Sequence, residues 1–196
     1  MNSARAPRKG DALVIVDVQN DFLPGGALAV PRGDEVIPVL NRCIELFQQR
    51  GLPIFATRDW HPSYHCSFQE QGGRRPRHCV LSSDGANIPP DLKLPPASAV
   101  VSKASTPERE AYPGFEDTNL EEKFCAAQIK RLFVGGLPTN YCVLNTVLDA
   151  RRLGFEVFLL RDAVRAVNAQ PGDGEKAEQE MSRSGAKPIE LSQLAS

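Results

Sequence analysis

The sequence contains no CxxC pair, no run approaching the roughly 20 apolar residues of a membrane span, and no long block of like charge. Its five cysteines, at 43, 66, 79, 125 and 142, are odd in number and irregular in spacing, so they form no disulfide framework. They fit a reducing compartment, where a cysteine is usually a small buried hydrophobe and only an occasional one a nucleophile. Basic and acidic side chains number 23 and 24, a net charge of −1, which argues against nucleic acid or an anionic membrane as partner. The N-terminal MNSARAPRKG is basic but leads into no signal-peptide-like apolar segment. The expectation is a cytoplasmic protein. Histidine is scarce: all three, His61, His65 and His78, fall within 18 residues of one another.

With 196 residues the chain can bury roughly 70% of the surface it exposes when unfolded, so one domain spanning 1–196 needs neither disulfide nor metal to fold. The apolar pattern alternates between strand and helix. Residues 12–16 are an unbroken apolar run ending at Asp17, as expected of a strand buried on both faces. Val36, Leu40, Ile44 and Phe47 space a helix over 34–50, and 52–57 reads as a second strand. Further strands are predicted at 99–102, 131–134, 155–160 and 187–191, with helices at 120–128, 141–153 and 174–184. There is no internal repeat. Residues 1–10 read as a flexible lead-in, and 60–97, rich in Pro, Gly, His and Arg, as a long functional loop. The predicted fold is α/β, a three-layer α/β/α sandwich around a mostly parallel sheet of about six strands.

In such a sheet ligands bind beyond the carboxyl ends of the strands. Asp17, Asp59 and Lys103 stand at the first three of these ends, and Cys142 follows the Gly-rich turn after the fourth. Singly, each has a bland explanation: a turn residue, a solvated lysine, a packed small side chain. Together they are the inventory of a nucleophilic amidase, with a thiol whose thiolate a nearby cation would favour and a carboxylate to move its proton. Asp59 and His61 alternate along an extended segment and so point to one side, while His78 returns from the far end of the loop. Carboxylate plus imidazole suits a divalent metal, zinc first, with iron or manganese as alternatives.

These residues lie in stretches that resemble the nicotinamidases of the isochorismatase-like cysteine hydrolases. The matching segments are ALVIVDVQNDFLPGGALAV, ATRDWHPSYHCSF, RHCV with DGA, Lys103 with AYPGFED, and GGLPTNYCVLNTVLDARRLGFEV with RDAVRAV, running from about Asp11 to Val167 in the family's order. The resemblance implies hydrolysis of nicotinamide to nicotinate and ammonia through a cysteine thioester, within NAD salvage. It makes Cys142 the nucleophile, Asp17 the proton carrier and Lys103 the orienting cation. It makes Asp59, His61 and His78 the metal ligands and leaves open whether His65 joins them. Phe22, Trp60, Tyr112, Pro138 and Tyr141 are expected to line the substrate pocket. A homo-oligomer is compatible with this reading, and the partner it implies is a small-molecule amide.

Three positions depart from the family's pattern. Pro138 stands where relatives use a backbone N–H, just after a cis peptide, to help hold the oxyanion. Asn140 replaces a common Asp. Arg75 occupies the place of a ring-packing Trp, and an arginine there can stack on an aromatic face or recognise a carboxylate. The alternatives are an amidase for another small amide and a non-catalytic ligand-binding member of the same family.

Overall fold

A computed structural model describes residues 5–110 and 112–194. Six strands form one sheet: β1 (Asp11–Val16), β2 (Ile54–Asp59), β3 (Ala99–Lys103), β4 (Arg131–Gly136), β5 (Glu156–Val164) and β6 (Lys187–Ile189). They lie in the order β3-β2-β1-β4-β5-β6, and every neighbouring pair is parallel. Strands buried on both faces do not need alternating polarity, which is why β1 reads DALVIV and has no exposed residue. Its side chains divide between two cores. Leu13 and Ile15 pack with Leu40, Ile44 and Phe47 of α1 (Val36–Gln49) on one face. Ala12, Val14 and Val16 pack on the other with Phe124 of α2 (Leu120–Ala126), Val147 of α3 (Leu144–Arg152) and Met181 of α4 (Asp173–Arg183). This is the expected three-layer sandwich, with a sheet parallel throughout. Among the described residues no helix is long and apolar enough to cross a membrane.

Two strands run past the end of their apolar stretch through polar pairs that find partners. Arg58 and Asp59 belong to β2, because Asp59 and Lys103 are ladder partners at the end of β2 and β3. β5 runs past the polar pair Arg161 and Asp162 to Val164. Arg161 there pairs with Glu178, and Asp162 accepts the Leu191 N–H. The helix predicted from 141 starts with a wide turn over Thr139–Val143 before α3 takes up regular geometry. Residues 5–10 are not a loose lead-in: Pro7 is buried, Arg8 N–H donates to Asp11, and the Ala6 carbonyl accepts from Arg131. Residues 1–4 of the predicted flexible segment lie outside the described residues.

Sequence order reverses between β1 and β4, so the chain leaves these adjacent strands in opposite directions and opens a crevice at their carboxyl ends. Gly136 allows the two ends to close up there. Its φ is +128°, and a Cβ would sit 2.0 Å from the Val16 carbonyl oxygen.

Candidate active site

The four predicted strand ends converge on this crevice. Asp17 leaves β1 with a left-handed φ of 48°, rare for a residue with a side chain. Its N–H donates to the Thr57 carbonyl (3.2 Å) and its Oδ1 accepts from Thr57 Oγ1 (2.6 Å). Lys103 closes the cluster from β3. Its side chain has no solvent exposure, and Nζ lies 2.9 Å from Asp17 Oδ2, 2.5 Å from Asp59 Oδ1 and 3.6 Å from Cys142 Sγ. One ammonium thus ties Cys142, Asp17 and the end of β2 that leads into the histidine-bearing loop together.

Burial dominates the electrostatics. It pushes the Asp17 carboxyl above its usual range, with Lys103 pulling the other way and Asp59 adding to the rise. At Asp59 burial acts in the same direction, but Lys103 and His61 more than offset it and the carboxyl is held low. Burial also raises the Cys142 thiol well above the ordinary range, with Lys103 pulling the other way and the Asp17 and Asp59 carboxylates adding to the rise. The sequence suggested a thiolate favoured by the cation. In the structure burial favours the neutral thiol, with Asp17 and Asp59 adding to the effect and Lys103 opposing it.

Asp59, His61 and His78 form the second half of the site, with one donor atom from each within 4.8 Å of the others. His61 Nδ1 lies 3.1 Å from the Ala104 carbonyl and His78 Nδ1 2.8 Å from that of Pro76, so each carbonyl fixes Nδ1 as the protonated nitrogen and leaves Nε2 its lone pair. Burial lowers His61 to about 4 and His78 by less, so both rings are neutral near pH 7. His61 Nε2 is buried without a hydrogen-bond partner and faces Asp59 Oδ2 at 3.7 Å. A buried lone pair with nothing to accept, beside a carboxylate and a second neutral imidazole, fits a divalent cation.

His65 stands apart from this donor set. Its Nδ1 is paired with Ser67 Oγ (2.8 Å) and its Nε2 with the Arg109 carbonyl (2.9 Å), so both nitrogens are occupied while the ring packs on His61.

The pocket above has a cavity of about 130 Å³, small beside the ~300–1,000 Å³ of drug-sized sites and suited to a single ring. Phe22, Tyr112, Pro138 and Tyr141 line it together with Cys142, Asp59, His61 and His78. Trp60 does not. Its ring lies under the Arg58 guanidinium, 3.7 Å from the ring centroid, and packs against the α1-side core, so it anchors the loop. Arg75 takes a wall of the pocket, and Asn140 acquires a physical account: its Nδ2 donates to the Val167 carbonyl while its Oδ1 accepts the Val167 N–H, a two-way clamp on a lining residue. Among the described residues no peptide bond is cis, so Pro138 is entered through a trans bond. Leu137 N–H continues the ladder to Val16, and the Pro138 carbonyl accepts from Tyr141 and Val143.

Two positioning residues, the buried Gln19 and the half-buried Asp21, escaped the sequence reading. Gln19 donates to the Asp59 and Ala86 carbonyls and accepts the Asp59 N–H, all at 2.8–2.9 Å, fixing the end of β2. Asp21 accepts the Cys79 N–H (2.7 Å) next to His78. The signal was present as a polar residue at every second position, Asp17, Gln19 and Asp21, where the apolar run stops.

An α/β scaffold that buries a thiol, a carboxylate and a lysine at its topological switch point defines an amidohydrolase. The chain belongs to the isochorismatase family, whose domain model matches residues 11–193. It is 42% identical to the nicotinamidase of Escherichia coli strain K12 over 196 aligned residues, 89% of this chain and 92% of that one. Among solved structures it is similar to a zinc complex of the Pyrococcus horikoshii pyrazinamidase (TM-score 0.89, 48% identity, 92% of this chain and 99% of that one). It is also similar to PnC1 of L. infantum in complex with nicotinate (TM-score 0.88, 33% identity, 96% of each chain).

Proposed function

We propose that this protein hydrolyses nicotinamide to nicotinate and ammonia through a thioester on Cys142, as a step of pyridine nucleotide salvage. The observation that carries the reading is the position of Lys103 Nζ, in reach of Asp17, Asp59 and Cys142 at once. The likeness to a nicotinamidase and to a nicotinate-bound structure supports the choice of amide.

The chemistry follows from a neutral resting thiol. As Cys142 Sγ forms its bond to the carboxamide carbon, its proton passes to Asp17 and the carbonyl electron pair moves onto oxygen. Burial makes Asp17 a stronger base than a solvated aspartate, and Lys103 beside it stabilises the charge left behind. Asp17 returns the proton to nitrogen as the C–N bond breaks, and ammonia leaves. A water molecule then gives its proton to Asp17, attacks the thioester and releases the acid, and the thiol recovers a proton. We assign the Cys142 N–H as an oxyanion donor; Pro138 has none to offer.

Asp59, His61 and His78 would hold a divalent metal, zinc first among the candidates given the zinc complex of a similar enzyme. Bound there, it supplies a Lewis-acid anchor for a ring nitrogen. The narrow cavity and its aromatic wall hold the ring, so the attack is that of an oriented pair. The test is ammonia release from nicotinamide by metal-replete protein, by chelated protein and by Cys142→Ala. Turnover that needs both metal and thiol is the expected result, and no turnover by the metal-replete protein refutes the substrate assignment.

A further inference from the structure

We propose that Arg75 makes the cavity an anion-accepting pocket that holds small planar carboxylates, the acid product among them, more tightly than the corresponding neutral amides. This rests on the reading of the site as an amidase pocket and goes beyond it by assigning a ligand preference to one side chain.

The observations concern the part of the wall formed by Arg75, Tyr112 and Tyr141. Arg75 lines the same cavity as Cys142 and His78, with about a quarter of its side chain exposed. Its guanidinium stacks over Tyr112 at 4.9 Å and lies 5.7 Å from the Tyr141 centroid, so two rings fix its plane. One nitrogen donates to the Tyr112 hydroxyl, which itself donates to Glu110. The direct ion pair is loose: Arg75 stands 4.0 Å from Glu110, whose side chain is more than a third exposed. A guanidinium has five donors, and among the described residues one engages Tyr112.

The two cations of the site therefore differ in what they can still do. Lys103 is fully buried and shared between two carboxylates at 2.9 and 2.5 Å, so its charge is already matched. Arg75 faces the cavity with donors to spare, and its one acidic neighbour is solvated and distant enough to yield to a ligand. Hydrolysis converts a neutral carboxamide into a carboxylate of the same shape within reach of this wall. A charge-assisted hydrogen bond in a partly desolvated pocket then favours product over substrate by about ten- to a hundredfold. The consequence for the reaction is product inhibition, the acid occupying the pocket until it is diluted or consumed.

The experiment uses Cys142→Ala protein with its metal content held constant, so that ligands bind without turnover. Calorimetry at pH 7.5 compares nicotinate with nicotinamide, and benzoate with benzamide, a pair without the ring nitrogen. The same titrations are run on the double variants carrying Arg75→Met and Arg75→Lys. We expect the acid to bind at least tenfold tighter than the amide in both pairs, with a preference that weakens as salt is raised. It should fall about tenfold or more with Met and survive in part with Lys, read as the acid-to-amide ratio within each variant. An acid-to-amide ratio unchanged by Arg75→Met, or equal to one at the outset, overturns the proposal. Should intact enzyme fail to release ammonia from nicotinamide, the proposed function falls, yet the benzoate and benzamide ratio still decides the role of Arg75.

Discussion

Replacing Lys103 by Met removes the one ammonium that two buried carboxylates share. Asp17 has no side-chain exposure and Asp59 has 8%, and their contacts to Nζ are 2.9 and 2.5 Å. Breaking a buried ion pair costs about 3–5 kcal/mol, out of a total stability of about 5–15 kcal/mol. The variant should therefore be marginal at neutral pH, and its loss should depend on pH in a direction set by Asp17. Burial already raises that carboxyl, and Lys103 is the largest influence opposing the rise. Without it the folded-state value climbs further above the unfolded one. The favourable term is then complete below the ordinary carboxylate range and is lost as pH rises through the raised folded value. Urea denaturation at pH 5 and pH 8, with metal content fixed, should show Lys103→Met losing more stability at pH 8 than the parent does. Asp17→Asn in the same background should recover part of the loss and flatten the pH dependence, because the neutral carboxamide can still accept from Thr57. A deficit below about 1 kcal/mol, or one that is the same at both pH values and untouched by Asp17→Asn, would refute this account of the cluster.

Cys142→Ala should lower ammonia release on the order of ten-thousandfold while leaving the thermal unfolding midpoint within a few degrees of the parent. Gly85→Ala acts at a distance. A Cβ there would meet the Asp21 carboxylate at 2.1 Å and drive it off the Cys79 N–H, so zinc affinity measured by chelator competition should fall about ten- to a hundredfold through a tilted His78. Pro138→Ala restores a backbone N–H on the cavity wall and should raise kcat severalfold, up to about a hundredfold, with KM little changed; a lower kcat would show that the proline ring itself shapes the pocket.

Most of this site was legible because a parallel sheet makes strand ends predictable. Apolar runs that stop at a charged residue mark the carboxyl edge, and Asp17, Asp59, Lys103 and the turn bearing Cys142 were found by that logic alone. The loop was harder, since residues 60–98 hold no ladder that a period could reveal, only isolated bridges at His61 with Val80 and Phe68 with Arg75. Proximity in sequence therefore could not separate His65 from its neighbours. What separates them is which nitrogens meet a carbonyl or hydroxyl, and Ser67 and Arg109 occupy both of His65's. Trp60 was misjudged for a related reason, because a tryptophan beside a ligand strand can face either way and Arg58 holds its ring outside the pocket.

The two halves of the centre are chemically unlike, and Lys103 explains why they sit together. A metal trio needs neutral imidazoles and an ionised carboxylate, and burial supplies the first while opposing the second. Asp59 stays ionised because the ammonium compensates for its desolvation, whereas at Asp17 burial outweighs the same ammonium and keeps the carboxyl above its usual range. Gln19 completes the link mechanically, since its three hydrogen bonds to the Asp59 and Ala86 backbones hold that carboxylate at the distance where one lysine can serve both. Moving Asp59 by a fraction of an ångström would thus disturb metal affinity and proton transfer together. Gln19→Leu, which leaves Cys142 and the Asp59, His61 and His78 side chains themselves unaltered, should lower both zinc affinity and kcat; loss of one without the other would show that the two halves are independent.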